Sequence, residues 1–151
     1  MAEQVVCPAM CVVPIDKKYD LKAAALIGCG VMTGAGAALN TAKVTPGASV
    51  AIFGCGGVGL SALQGARIAG ANPIIAVDLN DAKLEAAKEF GATHTINASG
   101  DSVAKIMEIT NGIGVDYAFE VIGIPAVAAQ AYAATRRGGT TCMVGAGAPE
   151  V

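Results

Sequence analysis

The chain has 151 residues, 31 of them Ala and 20 Gly; 54% are hydrophobic and only 15% charged. Disorder needs the reverse balance, low hydrophobicity with high charge, and is excluded. A formal net charge of −2, a pI near 5.3 and no basic run longer than a pair argue against a nucleic-acid partner.

The mean hydropathy of +0.56 raises the question of a membrane. Residues 23–42 and 44–66 are uncharged stretches parted only by Lys43, long enough to span a bilayer. Their content argues otherwise. Gly28, Gly30, Gly34, Gly36, Thr33, Asn40 and Thr41 dilute the first stretch. Pro46, six Gly, two Ser and Gln64 break the second, and no basic cluster flanks either. No membrane association is expected. MAEQVVCPAM lacks the basic and apolar regions of a secretory signal. The five cysteines (7, 11, 29, 55, 142) are odd in number, scattered and without a CxxC pair, which fits a reducing cytoplasm better than a disulfide framework. Cys7 and Cys11 read as small apolar residues.

In chain order, residues 1–20 form a detached edge. VVCPAMCVVPID offers short β-type pieces interrupted by Pro8 and Pro14. Residues 21–43 read as small-residue helical segments broken near the glycines. From Val44 to the end the pattern is regular. SVAIFG (49–54) is a continuous apolar run, as for a strand buried on both faces. A helix follows over 57–70, then a second buried strand over 73–78. A charged helix over 80–90 is opened by Asn80 or Asp81 and closed by Gly91. A third strand spans 94–98, and a helix 101–110 ends at Asn111-Gly112. A fourth strand covers 115–123, and a helix starting at Pro125 runs to about Arg136. A fifth strand spans 140–145. Strictly alternating strands and helices call for right-handed crossovers: an α/β, doubly wound parallel sheet of the Rossmann dinucleotide-binding kind.

Gly54-Cys55-Gly56-Gly57-Val58-Gly59 matches G-x-G-x-x-G. It follows a buried strand and opens a helix. Asp78 lies 19 residues beyond Gly59, at the end of the next strand; the dinucleotide fingerprint places its acid about 20 residues on. Gly54 would allow the tight turn, Gly56 the approach of a pyrophosphate, and Gly59 close helix-to-strand packing. The helix start would offer unpaired N–H groups to phosphate. Asp78 would accept from the ribose hydroxyls and repel a 2′-phosphate, and Leu79-Asn80-Asp81 brings no Arg to neutralise one. NAD is therefore expected over NADP. A methyltransferase also reads a glycine-rich turn in an α/β fold, and titration with S-adenosylmethionine separates the two.

The stretch AALIGCGVMTGAGAALNTAKVTPGASVAIFGCGGVGLSALQGARIAGANPIIAVDLNDAKLEAAKEFGATHTIN, with FEVIG (119–123) and TTCMVGAG, resembles the zinc-dependent medium-chain alcohol dehydrogenases over nearly the whole chain. The resemblance implies hydride transfer between NAD and an alcohol or aldehyde at a catalytic zinc, in a homo-oligomer. By position it makes Cys29 a zinc ligand. It puts Thr33 and Val58 beside the nicotinamide, Lys83 near the adenosine ribose, and Ile122, Gly123, Val144 and Gly145 along the cofactor. His94, the lone histidine, falls at the start of the third strand, away from the reacting end. The resemblance further implies that residues 1–20 are the remnant of a GroES-like catalytic domain, 21–43 a linking helical segment, and 44–151 an NAD-binding domain lacking its sixth strand. The remaining zinc ligands would lie outside this chain, so the segment alone is expected to be inactive. A stand-alone NAD-binding module without chemistry, or a scaffold without cofactor, are the other readings.

Overall fold

The computed structural model describes residues 4–147. Residues 1–3 and 148–151, which the outermost segments above include, lie outside the described residues. Five strands form one all-parallel sheet: β1 (Val50–Phe53), β2 (Ile74–Asp78), β3 (His94–Asn97), β4 (Val115–Glu120) and β5 (Thr135–Met143), in the order β3-β2-β1-β4-β5. Chain order reverses between β1 and β4, so a crevice opens at their C-terminal ends, where doubly wound sheets bind ligands.

The connecting helices are α3 (Gly57–Ile68), α4 (Asp81–Glu89), α5 (Ser102–Ile109) and α6 (Pro125–Ala134). Side chains along a strand point alternately to opposite faces, and here both faces are apolar. Val50, Ile52, Ile74, Ala76 and Phe119 pack with Leu63 and Ala66 of α3 and Leu84 of α4. Ala51, Phe53, Ile75, Val77 and Ala118 pack with Ile106 of α5 and Ala131 and Ala134 of α6. Two-sided burial is why β1 and β2 read as unbroken runs of apolar residues.

Two expectations are corrected. The β-type pieces of residues 4–20 form no strand; beyond one 3₁₀ turn at Ala9–Cys11 the arm is irregular and exposed. A strand needs a ladder partner for its N–H and C=O groups, and none lies beside the arm among the described residues. Cys7 and Cys11 are likewise exposed, not packed. Residues 21–41 are not broken at the glycines. Leu21–Thr41 is one helical run, long and apolar enough to cross a membrane by length and composition. Within it, α1 (Leu21–Ala24) and α2 (Met32–Gly36) alternate with π-type turns at Ile27–Val31 and Ala37–Thr41. Its second half lies against α3. Gly34 abuts the Val58 carbonyl and the Ala62 amide, and Gly65 abuts Ala35 and Ala38, so a side chain at either glycine would separate the helices.

The end of α6 also differs. The helix stops at Ala134 and β5 begins at Thr135, because Thr135 Oγ1 turns back to the Ala131 carbonyl (2.8 Å) and Arg136 Nε reaches Asp116 Oδ1 (2.6 Å). Val115 pairs with Thr135 but Tyr117 with Thr140, so Arg136–Gly139 bulges out of the ladder.

Candidate functional site

The glycine turn sits where β1 ends in the crevice. Gly54 adopts φ +108°, a left-handed conformation that favours glycine. A Cβ on Gly59 would land on the Gly54 carbonyl oxygen, so the turn closes only with glycine there. Gly56 and Gly57 instead face open space. Gly56 is the N-cap of α3, and no side chain caps that helix, whereas Asn80 caps α4 and Asp101 caps α5. The first-turn amides of α3 thus have no side-chain acceptor and carry the positive end of the helix dipole.

A cavity of about 640 Å³ opens beside the turn at the ends of β1, β2 and β4. Gly54, Gly56, Asp78, Lys83 and Ile122 all line it. Asp78 Oδ2 accepts from the Cys55 amide (2.8 Å) and Oδ1 from the Asn80 amide (2.9 Å), which fixes the carboxylate at the cavity wall. Each carboxylate oxygen has two acceptor sites, so one on each remains for a ligand. Asn80 Oδ1 accepts from Ala82 and Lys83 amides and so starts α4, bringing Lys83 to the same rim. Burial, then the neighbouring Asp78 carboxylate, pushes the Cys55 thiol up to about 12, with Lys83 pulling the other way. Cys55 is therefore inert as a thiolate at neutral pH.

A second cavity of about 320 Å³ flanks the other side of the turn. Cys29 and Gly57 both line it, so the helical run and the glycine turn share a wall. Val58 is half-buried and Gly59 buried beneath the turn, while Thr33 is exposed on α2. Gly123 and Gly145 meet each other between the ends of β4 and β5, next to half-buried Val144. These residues approach the crevice but line neither cavity. His94 starts β3, at the opposite end of the sheet, with its ring nitrogen Nδ1 2.9 Å from Thr93 Oγ1.

The family model described as zinc-binding dehydrogenase matches residues 57–151. The chain belongs to the zinc-binding dehydrogenase family. It is 44% identical to the S-(hydroxymethyl)glutathione dehydrogenase of Saccharomyces cerevisiae, over 97% of this chain and 40% of the relative. It is 44% identical to alcohol dehydrogenase-like 5 of Arabidopsis thaliana, over 88% of this chain and 34% of the relative. A crystal structure of benzyl alcohol dehydrogenase from Acinetobacter calcoaceticus superposes with a TM-score of 0.87 at 44% identity, over 92% of this chain and 38% of that one. An alcohol dehydrogenase zinc-binding domain protein from Burkholderia ambifaria gives a TM-score of 0.86 at 48% identity, over 91% and 37%. The chain therefore spans about two fifths of the length of these relatives.

A zinc-binding dehydrogenase implies a metal, and the donor set tests it. Catalytic zinc takes three protein ligands and an open position. Among the described residues no three His, Cys, Asp or Glu side chains converge, and Cys29 is the one such residue on its cavity wall. The residues present do not make a zinc site by themselves. For a dinucleotide the result is the opposite: open glycines, uncapped amides and a fixed carboxylate share one crevice.

Sequence reading missed Glu120. It ends β4 and is 2% exposed, the one buried charged side chain among the described residues. No residue pattern marks it, because β4 also carries Asp116 and the groups that the Glu120 side chain binds are backbone amides.

Proposed function

We propose that the chain is the coenzyme-binding segment of a zinc-dependent, NAD-linked oxidoreductase acting on alcohols or aldehydes. The supporting observation is the uncapped start of α3 beside Asp78 on the wall of the 640 Å³ cavity. The α3 amides and Gly56 would receive the pyrophosphate, with no Cβ to hold it off. Asp78 would accept from the ribose hydroxyls, with Lys83 at the same rim. Ile122 and Gly123 would pass along the dinucleotide. Thr33, Val58, Val144 and Gly145 would flank the nicotinamide. When bound, NAD takes or returns a hydride at the nicotinamide ring. Gly54 and Gly59 act by shaping the turn.

Cys29 would be one zinc ligand, with the others contributed by the part of the relatives' length that this chain does not span. The same absent part, or a second subunit, would cover exposed Leu21, Leu26, Ile27 and Met32. The β5 edge supports self-association, because an unpaired strand offers its N–H and C=O groups to another chain. The same kinship supports a cytoplasmic location.

Titration of the chain with NADH and NADPH tests the reading. NADH should bind at least about tenfold tighter, since Asp78 repels a 2′-phosphate. Equal or tighter NADPH binding overturns it. The second reading, a binding module without chemistry, shares the cofactor. An open reading frame continuing beyond both ends, with alcohol turnover in the longer protein, decides against the module.

A further inference from the structure

Glu120 makes contacts that a core residue does not need. Its carboxylate Oε1 accepts from the Ile122 and Gly123 amides, both at 2.8 Å. Both belong to the loop that follows β4. Its main-chain oxygen accepts from the Val144 amide (2.8 Å) and the Gly145 amide (3.0 Å), in the loop that follows β5. Oε2 lies over Gly145, where a Cβ would come within 2.7 Å of it. Gly123, at φ +87°, presses on Ala146 and Gly147 of the second loop. One residue thus ties two loops to each other and to the strand end. Next to it, Val121 donates to the Phe53 carbonyl of β1 (3.1 Å), so the assembly continues to the glycine turn.

An apolar side chain would fill the same volume without taking a carboxylate out of water, which is costly. What the carboxylate adds is acceptor capacity for two amides that converge on one point. Those amides belong to residues that shape the ligand crevice: Ile122 lines the large cavity, and Gly123 abuts the loop carrying Val144 and Gly145.

Resting on the cofactor reading above, we propose that Glu120 is a positioning residue, holding the loops after β4 and β5 in the shape that receives the dinucleotide. It touches neither cofactor nor substrate in this role. It acts through the Ile122 and Gly123 amides, and through Gly123 on the loop after β5.

The test compares Glu120→Ala and Glu120→Gln with the parent in the full chain, by amide hydrogen exchange and by NADH titration well below the melting temperature. Asp116→Ala, at the far end of the same sheet, serves as a destabilised control. In Glu120→Ala, exchange should accelerate at Ile122 and Gly123, which lose the carboxylate, while Val144 and Gly145, bonded to the main-chain oxygen that Ala keeps, and the amides of β1 and β2 stay more protected. Its Kd for NADH should rise roughly tenfold or more, the size of losing hydrogen bonds to a charged acceptor. Glu120→Gln keeps an oxygen able to accept both amides and should recover most of the affinity. Asp116→Ala should leave the Kd unchanged despite a lower melting temperature.

Unchanged exchange at the Ile122 and Gly123 amides in Glu120→Ala overturns the proposal. Faster exchange with unaltered NADH affinity overturns it too, since the role is then structural only. A parent chain that binds no NADH overturns the cofactor reading itself. The exchange pattern alone then decides whether Glu120 anchors the loops.

Discussion

Two aspartates mark opposite ends of the same sheet, and their surroundings differ in one respect. At the N-terminal end, Asp116 at the start of β4 has three of its four acceptor sites filled by its own chain. Oδ2 accepts from the Ser49 amide (2.8 Å) and hydroxyl (2.7 Å), and Oδ1 from Arg136 Nε (2.6 Å). Ser49 Oγ in turn accepts from the Asp116 amide (2.9 Å). The network joins β1, β4 and the bulge of β5. At the C-terminal end, Asp78 takes one amide per oxygen and faces a cavity. A carboxylate whose acceptors are mostly taken by groups from other strands holds strands together. One held in place with acceptor sites to spare is arranged for a ligand.

Removing each carboxylate separates the two roles. Asp78→Ala should weaken NADH binding on the order of 100-fold, about 3 kcal/mol, because the ribose acceptors and the tie to Cys55 are lost together. Its melting temperature should fall only modestly, since Asn80 is exposed and only the buried Cys55 amide loses its acceptor away from the surface. A titration calorimeter and a thermal melt check both halves, and a large drop in melting temperature with intact NADH affinity would break the comparison.

Asp116→Ala should lower stability by about 2 kcal/mol, because the Ser49 amide and the Arg136 guanidinium lose a charged acceptor. NADH affinity should stay within about twofold of the parent, as for distant, independent sites. Burial pushes the Asp116 carboxyl up. The Ser49 amide, Arg136 and the Ser49 hydroxyl together outweigh it and hold the group below its usual value. With a folded value below the unfolded one, the stabilisation is complete above the ordinary aspartate range, about 3.9, and is lost as pH falls through the lowered folded value. Urea melts of parent and variant should therefore differ most near neutrality and converge in acid. A gap that widens on acidification would contradict the assignment.

The two ends were not equally legible in the sequence. The C-terminal end announces itself locally. The glycine spacing, the strand before it and the acid about 20 residues on lie within one β-α-β unit, so Gly54, Gly59 and Asp78 could be placed by counting. The N-terminal network could not. Ser49 and Asp116 are 67 residues apart and Asp116 and Arg136 are 20 apart, with no pattern linking them before the strands pair. The same absence of a local signal moved the start of β5 from residue 140 to Thr135, since the Asp116 contact draws Arg136 out of the helix. In residues 4–20, β-branched residues between prolines suggested strands, but composition does not supply a ladder partner. Glu120 stayed hidden because its amide partners are backbone groups, which leave no mark in a sequence.

Ser102 sharpens the comparison at its smallest scale. It opens α5, in the connection after β3, so it belongs to the same end of the sheet as Asp78. Its hydroxyl oxygen is buried and has no hydrogen-bond partner among the described residues. Spare acceptor capacity at this end is thus present in two forms, one facing a cavity and one enclosed. Only the first suits a ligand, because an enclosed hydroxyl offers no route of approach. Removing an unsatisfied buried hydroxyl relieves a desolvation cost and leaves no partner behind. Ser102→Ala should therefore be neutral or stabilising by up to about 1 kcal/mol, with NADH affinity unchanged, as read from urea midpoints and titration. A loss of affinity in that variant would extend the ligand-facing end of the sheet beyond β1, β2 and β4, and would remove the distinction between an accessible acceptor and an enclosed one.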